Sequence, residues 1–204
     1  MESLARGGTR WKRFAVVMVP SVAATAAIGV ALSQGALAAS FSVSGQQFKV
    51  TADRLEGTGF AQYGAIDSTK AGTKPVTVVG MNDATIKNLC QSVVIPVPVF
   101  GEVSMKLGAG SGSTPVEAKK LYIDADDLST NATFKNIDIG VSVDDTTKGP
   151  GPQKGDKYLP GSFAQQADSV VFTDVKQRAW ATTAGTFKLS GLKMSVKKGA
   201  HECF

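Results

Sequence analysis

Hydrophobicity at period two constrains this chain more than any other feature. Leu121, Ile123 and Ala125 alternate with Tyr122, Asp124 and Asp126. Ile137, Ile139, Val141 and Val143 alternate with Asp138, Gly140, Ser142 and Asp144, and Phe48, Val50 and Ala52 with Lys49, Thr51 and Asp53. Side chains of a strand point to opposite faces in turn, so such stretches bury one face and wet the other. Helical periodicity is poor from residue 39 onward, with one short helix expected near Pro160–Ala167. The sequence therefore predicts a mainly β fold: one domain of repeated strands in a twisted antiparallel sheet, sandwich or half-barrel, with a β-solenoid as the alternative.

A short phrase recurs within this pattern. Ala84-Thr85-Ile86-Lys87-Asn88-Leu89 returns as Ala132-Thr133-Phe134-Lys135-Asn136-Ile137, with an Asn shortly before each copy (Asn82, Asn131). A looser form appears at Phe172-Thr173-Asp174-Val175. Ala-Asp-x-apolar recurs at Ala52-Asp53, Ala125-Asp126 and Ala167-Asp168. We read the phrase as a strand-opening or turn-edge signature repeated along one domain. Gly57, Gly59 and Gly64 are expected to interrupt their strand, and Asp145–Pro160, with three glycines and three prolines, to form a long mobile loop open to proteolytic nicking.

The first 38 residues read as an export signal. Arg6, Arg10, Lys12 and Arg13 precede an apolar run from Phe14 to Leu32, and Ala36-Leu37-Ala38 offers a small-x-small cleavage site. The expected division is a signal segment (a helix) over 1–38 and a secreted β-rich domain over 39–204, with an uncleaved anchor as the alternative. The charge follows the signal. Of 22 basic and 17 acidic residues, the segment holds four and one, which leaves 18 against 16 in the domain. Without a basic stripe interleaved with aromatics, nucleic acid is excluded as a partner. The membrane is expected to be met only through the signal segment or by surface association.

Both cysteines, Cys90 and Cys203, lie in the domain. In an oxidising exterior they pair most simply with each other, an intermolecular bridge or a free thiol being the alternatives. By chain-entropy reasoning so long a loop contributes about 4–5 kcal/mol at most.

Val93–Phe100, Val-Val-Ile-Pro-Val-Pro-Val-Phe, is apolar on both faces. Pro96 and Pro98 cannot donate to a ladder, which places the segment at an edge or in an extended loop. It is either an edge covered by the rest of the domain or an apolar rim that meets lipid, sterol or a partner chain. On the second reading Val94, Pro96, Val97, Pro98 and Phe100 are the candidate binding residues.

Chemistry has few anchors. A catalytic triad would need the lone His201, and Gly108–Pro115 lacks the Gly-x-Ser-x-Gly elbow that presents a nucleophile. Asp124, Asp126, Asp127, Asp138, Asp144 and Asp145 could share calcium only if neighbouring strands aligned them, since no twelve-residue calcium loop is present. No metal site and no cofactor is expected.

Several phrases taken together carry a resemblance: Ala36-Leu37-Ala38, Gly59-Phe60-Ala61-Gln62-Tyr63-Gly64, Asn88-Leu89-Cys90-Gln91-Ser92, Ala181-Thr182-Thr183-Ala184-Gly185-Thr186-Phe187 and the Cys203-Phe204 end. They resemble a family of small secreted actinobacterial proteins of unassigned function that are often labelled cholesterol esterase. The resemblance covers essentially the whole chain and implies action on sterol esters at a lipid surface. It transfers no catalytic residue. The expectation is a secreted or envelope-associated protein that interacts with apolar lipid or sterol ester. The alternatives are a true carboxylic ester hydrolase acting on cholesteryl esters and a structural, self-assembling surface protein.

Overall fold

The computed structural model describes residues 45–69 and 72–204. The expected export signal over residues 1–38 lies outside the described residues. Among the described residues nine strands form one antiparallel sheet: β1 (Phe48–Thr69), β2 (Gly72–Lys87), β3 (Leu89–Val97), β4 (Gly101–Ala109), β5 (Val116–Lys135), β6 (Asp138–Ser142), β7 (Phe163–Thr183), β8 (Thr186–Lys188) and β9 (Lys193–Lys198). The antiparallel reading holds and the solenoid does not. The expected helix near Pro160–Ala167 is also absent. Phe163–Ala167 opens β7, and among the described residues the helical element is a single 3-10 turn, Val143–Asp145.

The sheet order is β6-β7-β5-β2-β1-β3-β4-β9, with β8 against β5. Four long strands do more than lie side by side. β7 pairs with β5 along one edge and, through Val175–Ala179, with Phe48–Ala52 of β1 along the other, so the path β7–β5–β2–β1 returns to β7. Further along the same register Gln165 Nε2 donates to Gln62 Oε1 at 2.5 Å. The side chains turned inside this circuit make the core. Phe60, Met81, Val116, Leu121 and Val170 are all at most 1% exposed. Phe60, Phe134 and Phe172 meet there with ring centroids 5.2–6.1 Å apart, the tilted and edge-on geometry that aromatic quadrupoles favour.

The repeated phrase closes one strand and bends the chain into the next: β2 ends at Lys87 and β3 opens at Leu89, and β5 ends at Lys135 with β6 opening at Asp138. Asn88 and Asn136, the fifth residue of each copy, both take left-handed backbone conformations (φ 52° and 51°). Asn tolerates that region better than other residues with a Cβ. Each is held there from the neighbouring strand: Asn88 Nδ2 donates to Asp53, and Asn136 Nδ2 donates to Asp168 Oδ2 at 2.6 Å. Those aspartates belong to the Ala-Asp-x-apolar recurrence, so two sequence repeats are the two halves of one contact. A second pair lies six residues further along β1 and β7. Asn131 Nδ2 donates to Asp174 (φ 55°) at 2.9 Å, and the equivalent place on β1 is Gly59 (φ 62°), beside Asn82. The β1–β2 ladder and the β7–β5 ladder are therefore versions of one unit related by an approximate twofold axis.

Two loop expectations are overturned. β1 runs through Gly57 and Gly59 without a break, because those glycines make room for neighbours: a Cβ at Gly57 would lie 2.3 Å from the Met81 sulfur. Residues 146–162 are a strap fastened down, not a free loop. Gln166 Oε1 accepts from the amides of Thr147 and Lys148 (2.7 and 2.9 Å), Tyr122 OH donates to Gly151 O (2.9 Å), and Ile66 N donates to Lys157 O (2.8 Å). Gly149 lies so close to β1 that an added Cβ would stand 2.4 Å from the Phe60 carbonyl carbon. Ile139 departs from the inward alternation and is 66% exposed, since β6 is the sheet's outer strand and its register slips between Ile139 and Val141.

Candidate functional site

β3, β4 and β9 extend beyond the circuit as an arm. Among the described residues β1 pairs with β3 over Cys90–Val93, and past that point β3 is paired with β4 alone. Pro96, opposite Glu102, thus sits where no second ladder needs its missing N–H, as expected of a proline-bearing edge. Register sorts the arm's residues, because directly opposed residues of an antiparallel pair share a face. Val93, Met105 and Val196 stand in one row and Gln91, Leu107 and Met194 in the next, with Ile95 opposite Val103 beyond them. That face is apolar and open: Met105, Met194 and Val196 are 39%, 66% and 64% exposed, and Val93, Met105, Leu107 and Val196 line a groove of about 250 Å³. At the tip, Val99 is wholly exposed with φ 73°, a conformation a β-branched residue rarely takes, and Phe100 is 67% exposed.

The five residues singled out from the sequence do not share a face. Val97 belongs to the apolar face, and Pro98 and Phe100 to the tip. Val94 and Pro96 have the opposite parity, in the rows of Ser104 and Glu102. Met194 and Val196 of β9, opposite Leu107 and Met105, extend the apolar face. β9 is the outer strand on this side, and among the described residues no strand lies beyond it to cover them.

The second face of the arm is polar and carries the C-terminal tail. Cys90 and Cys203 form the disulfide, across 113 positions of sequence. Cys203 N donates to the buried Ser92 Oγ (2.9 Å), Gly199 N donates to Glu102 O (2.8 Å), and Lys49 Nζ reaches Glu202 at 2.8 Å. His201 lies in a pocket with Ser104 and Ser195, but its Nε2 is paired with Lys198 O at 3.2 Å, while Ser104 Oγ donates to Lys197 O.

A separate cluster of acids lies between the strap and the sheet. Asp156 on the strap accepts from Tyr63 OH at 2.6 Å and from Gln153 N at 2.9 Å. Asp67 Oδ2 and Asp124 Oδ1 are buried without a protein hydrogen-bond partner. Burial, with the nearby charges of Asp67 and Asp156, pushes the Asp124 carboxyl up to about 7. Asp67 is raised by burial and by Asp156. Tyr63 and Tyr122 are raised for the same two reasons, with the Asp156 hydrogen bond adding to Tyr63. The aspartates weighed for calcium go separate ways. Asp138 pairs with Lys148, whose hydrogen bond lowers its pKa, Asp144 accepts from Tyr158 and Gly161, and Asp126 and Asp127 face Arg178. Among the described residues no three His, Cys, Asp or Glu side chains converge as metal ligands.

Comparison with curated proteins and with solved structures returns no match. A family of unknown function (DUF6230) matches residues 44–204, which takes in every described strand, both cysteines and both copies of the repeated phrase. The chain belongs to the DUF6230 family.

Proposed function

We propose that this chain is a secreted or envelope-associated β domain that binds apolar lipid, such as a sterol ester, through the arm. The observation that carries the reading is the open apolar face of β3, β4 and β9, with Val99 and Phe100 bare at its tip. Burying exposed apolar surface contributes about 25 cal/mol per Å², so such a face gains most where a water-insoluble molecule covers it. Pro96 and Pro98 stiffen the strand that presents the tip and lower the ordering cost of binding. The bridge to Cys203 fits an oxidising exterior.

Co-sedimentation with cholesteryl-ester-loaded phosphatidylcholine vesicles tests this. Phe100→Asp and Met194→Asp alter exposed positions and should leave the fold intact while abolishing binding; binding unchanged in both would refute the reading. Sterol-ester hydrolysis is the second reading, favoured by the presence of His201, Ser104 and Ser195 in one pocket. It requires the purified protein to turn over a cholesteryl ester and His201→Ala to remove that turnover.

A further inference from the structure

We infer that the pocket between the C-terminal tail, β4 and β9 is a binding site for a tetrahedral oxyanion, a phosphate or sulfate group. It lies on the polar face of the arm, so it stands independently of the lipid reading. Ser104, Lys106, Ser195, Lys197, His201 and Glu202 line a space of about 190 Å³, well beyond what one water needs. The balance of charge within it is uneven. The single carboxylate, Glu202, is held by Lys49, which stands outside the pocket, at 2.8 Å. Among the described residues neither Lys106 nor Lys197 has a carboxylate partner; Lys106 Nζ reaches only the Glu202 carbonyl, at 3.3 Å. Two ammonium groups are thus left uncompensated beside the Ser195 hydroxyl; Ser104 Oγ and His201 Nε2 are already engaged by Lys197 O and Lys198 O, and those two side chains wall the pocket.

That set suits a phosphate or sulfate better than a planar carboxylate. The two ammonium groups and the Ser195 hydroxyl come from two neighbouring strands, β4 and β9, and a tetrahedral anion accepts from several directions at once. The frame is also fixed in advance. Register holds Ser104 beside Lys197 and Lys106 beside Ser195. Gly199 N bonded to Glu102 O, Cys203 N bonded to Ser92 Oγ and the disulfide hold the tail that supplies His201. A site whose donors are ordered before the ligand arrives loses little entropy on binding.

The test is a titration of the purified, isotope-labelled protein with inorganic phosphate at constant ionic strength, with chloride as the control, followed by amide chemical shifts. Saturating shifts confined to Ser104, Lys106, Ser195, Lys197 and the tail are expected with phosphate and none with chloride. Lys106→Gln and Lys197→Gln should each weaken binding about tenfold, the loss expected for one charge-assisted hydrogen bond. Lys87→Gln, an exposed change elsewhere, should not. A parallel arm with phosphatidylcholine vesicles, with and without phosphatidic acid, separates a free anion from a lipid headgroup: dependence on phosphatidic acid that Lys197→Gln removes assigns the site to a headgroup. Phosphate shifts that fail to saturate or match those of chloride, with vesicle binding indifferent to phosphatidic acid, would overturn the inference. So would lysine variants that bind like the parent. Phe100→Asp should leave phosphate binding unchanged, so failure of the lipid reading and failure of this one are told apart.

Discussion

Replacing Asp124 by Asn removes a charge the fold holds at a cost. Its carboxyl lies on β5 beneath the strap, with Asp67 on β1 and Asp156 on the strap as the charges that act on it, and Tyr63 and Tyr122 alongside. One of its oxygens is buried without a partner. Burial and those two like charges lift its pKa from 3.8 to about 7. The folded pKa therefore exceeds the unfolded one, and the folded state binds the extra proton. Stability is greatest below pH 4 as far as this group is concerned and declines as pH rises from about 4 through about 7. A shift of roughly 3 units at 1.36 kcal/mol each sets an upper bound of about 4 kcal/mol; water at the half-exposed side of the cluster reduces it to about 2. Asn has nearly the same shape and carries no charge. Asp124→Asn should match the parent at pH 4 and exceed it by about 2–4 kcal/mol at pH 8. Urea midpoints measured for both proteins between pH 4 and 8 give the difference directly; Asp67 and Asp156, which act on Asp124, titrate as part of it, and the remote carboxylates cancel. Asp138 is one of these, and its lowered pKa acts in the opposite sense below pH 4. A flat difference across the range, or a variant less stable at pH 8, would refute the reasoning.

Three further outcomes follow from the geometry. Cys203→Ala frees the tail and should cost up to about 4–5 kcal/mol by urea titration; reductant should lower the parent by the same amount and leave the variant unmoved. Asn136→Ala loses the bond to Asp168 and leaves at φ 51° a residue less tolerant of that region than Asn, for about 2 kcal/mol in all, whereas Asn136→Gly loses only the bond, about 1 kcal/mol; equal losses would refute the conformational argument. Gly149→Ala forces the strap away from Phe60, so limited proteolysis should cut between residues 146 and 162 in the variant and spare that segment in the parent.

Sequence showed the class of fold because period-two alternation is local: Leu121, Ile123 and Ala125 are buried as their spacing requires. The cysteine pairing was legible for a different reason, since two thiols in one domain leave few choices. The repeated phrase was visible too, yet its meaning was not. What fixes Asn88 and Asn136 is an aspartate 35 or 32 positions away on another strand, and strand pairing of that range has no local mark. Glycine misled twice over for one physical reason. It serves both mobile turns and close approach, and only the neighbours decide which; Phe60 beside Gly149 and Met81 beside Gly57 decided for close approach. In the candidate site, parity alone would have separated Val94 and Pro96 from Val97. The part played by Met194 and Val196 was out of reach, because an apolar residue of a strand reads the same whether its face is covered or bare.

The approximate twofold of the four long strands bears on where function resides. Asp53 with Asn88 answers to Asp168 with Asn136, and Gly59 with Asn82 answers to Asp174 with Asn131. Residues that recur in both halves are accounted for by what each half needs: a bend, a left-handed position and a partner to hold it. The base of β3 has its counterpart in β6, which follows Asn136 and pairs with the start of β7; the far end of β3, β4 and β9 have none among the described residues. The arm costs the molecule an outer strand with six exposed residues, a bare apolar face and a valine at positive φ, none of which the circuit requires for its own stability. The disulfide is spent on the same element, fixing the tail against β3 instead of bracing the core. Features that lower stability and are then reinforced are expected where selection acts on binding. Deleting the tip, Val99 and Phe100, should accordingly leave the midpoint of unfolding nearly unchanged while removing lipid binding; a large fall in stability would return the arm to the scaffold.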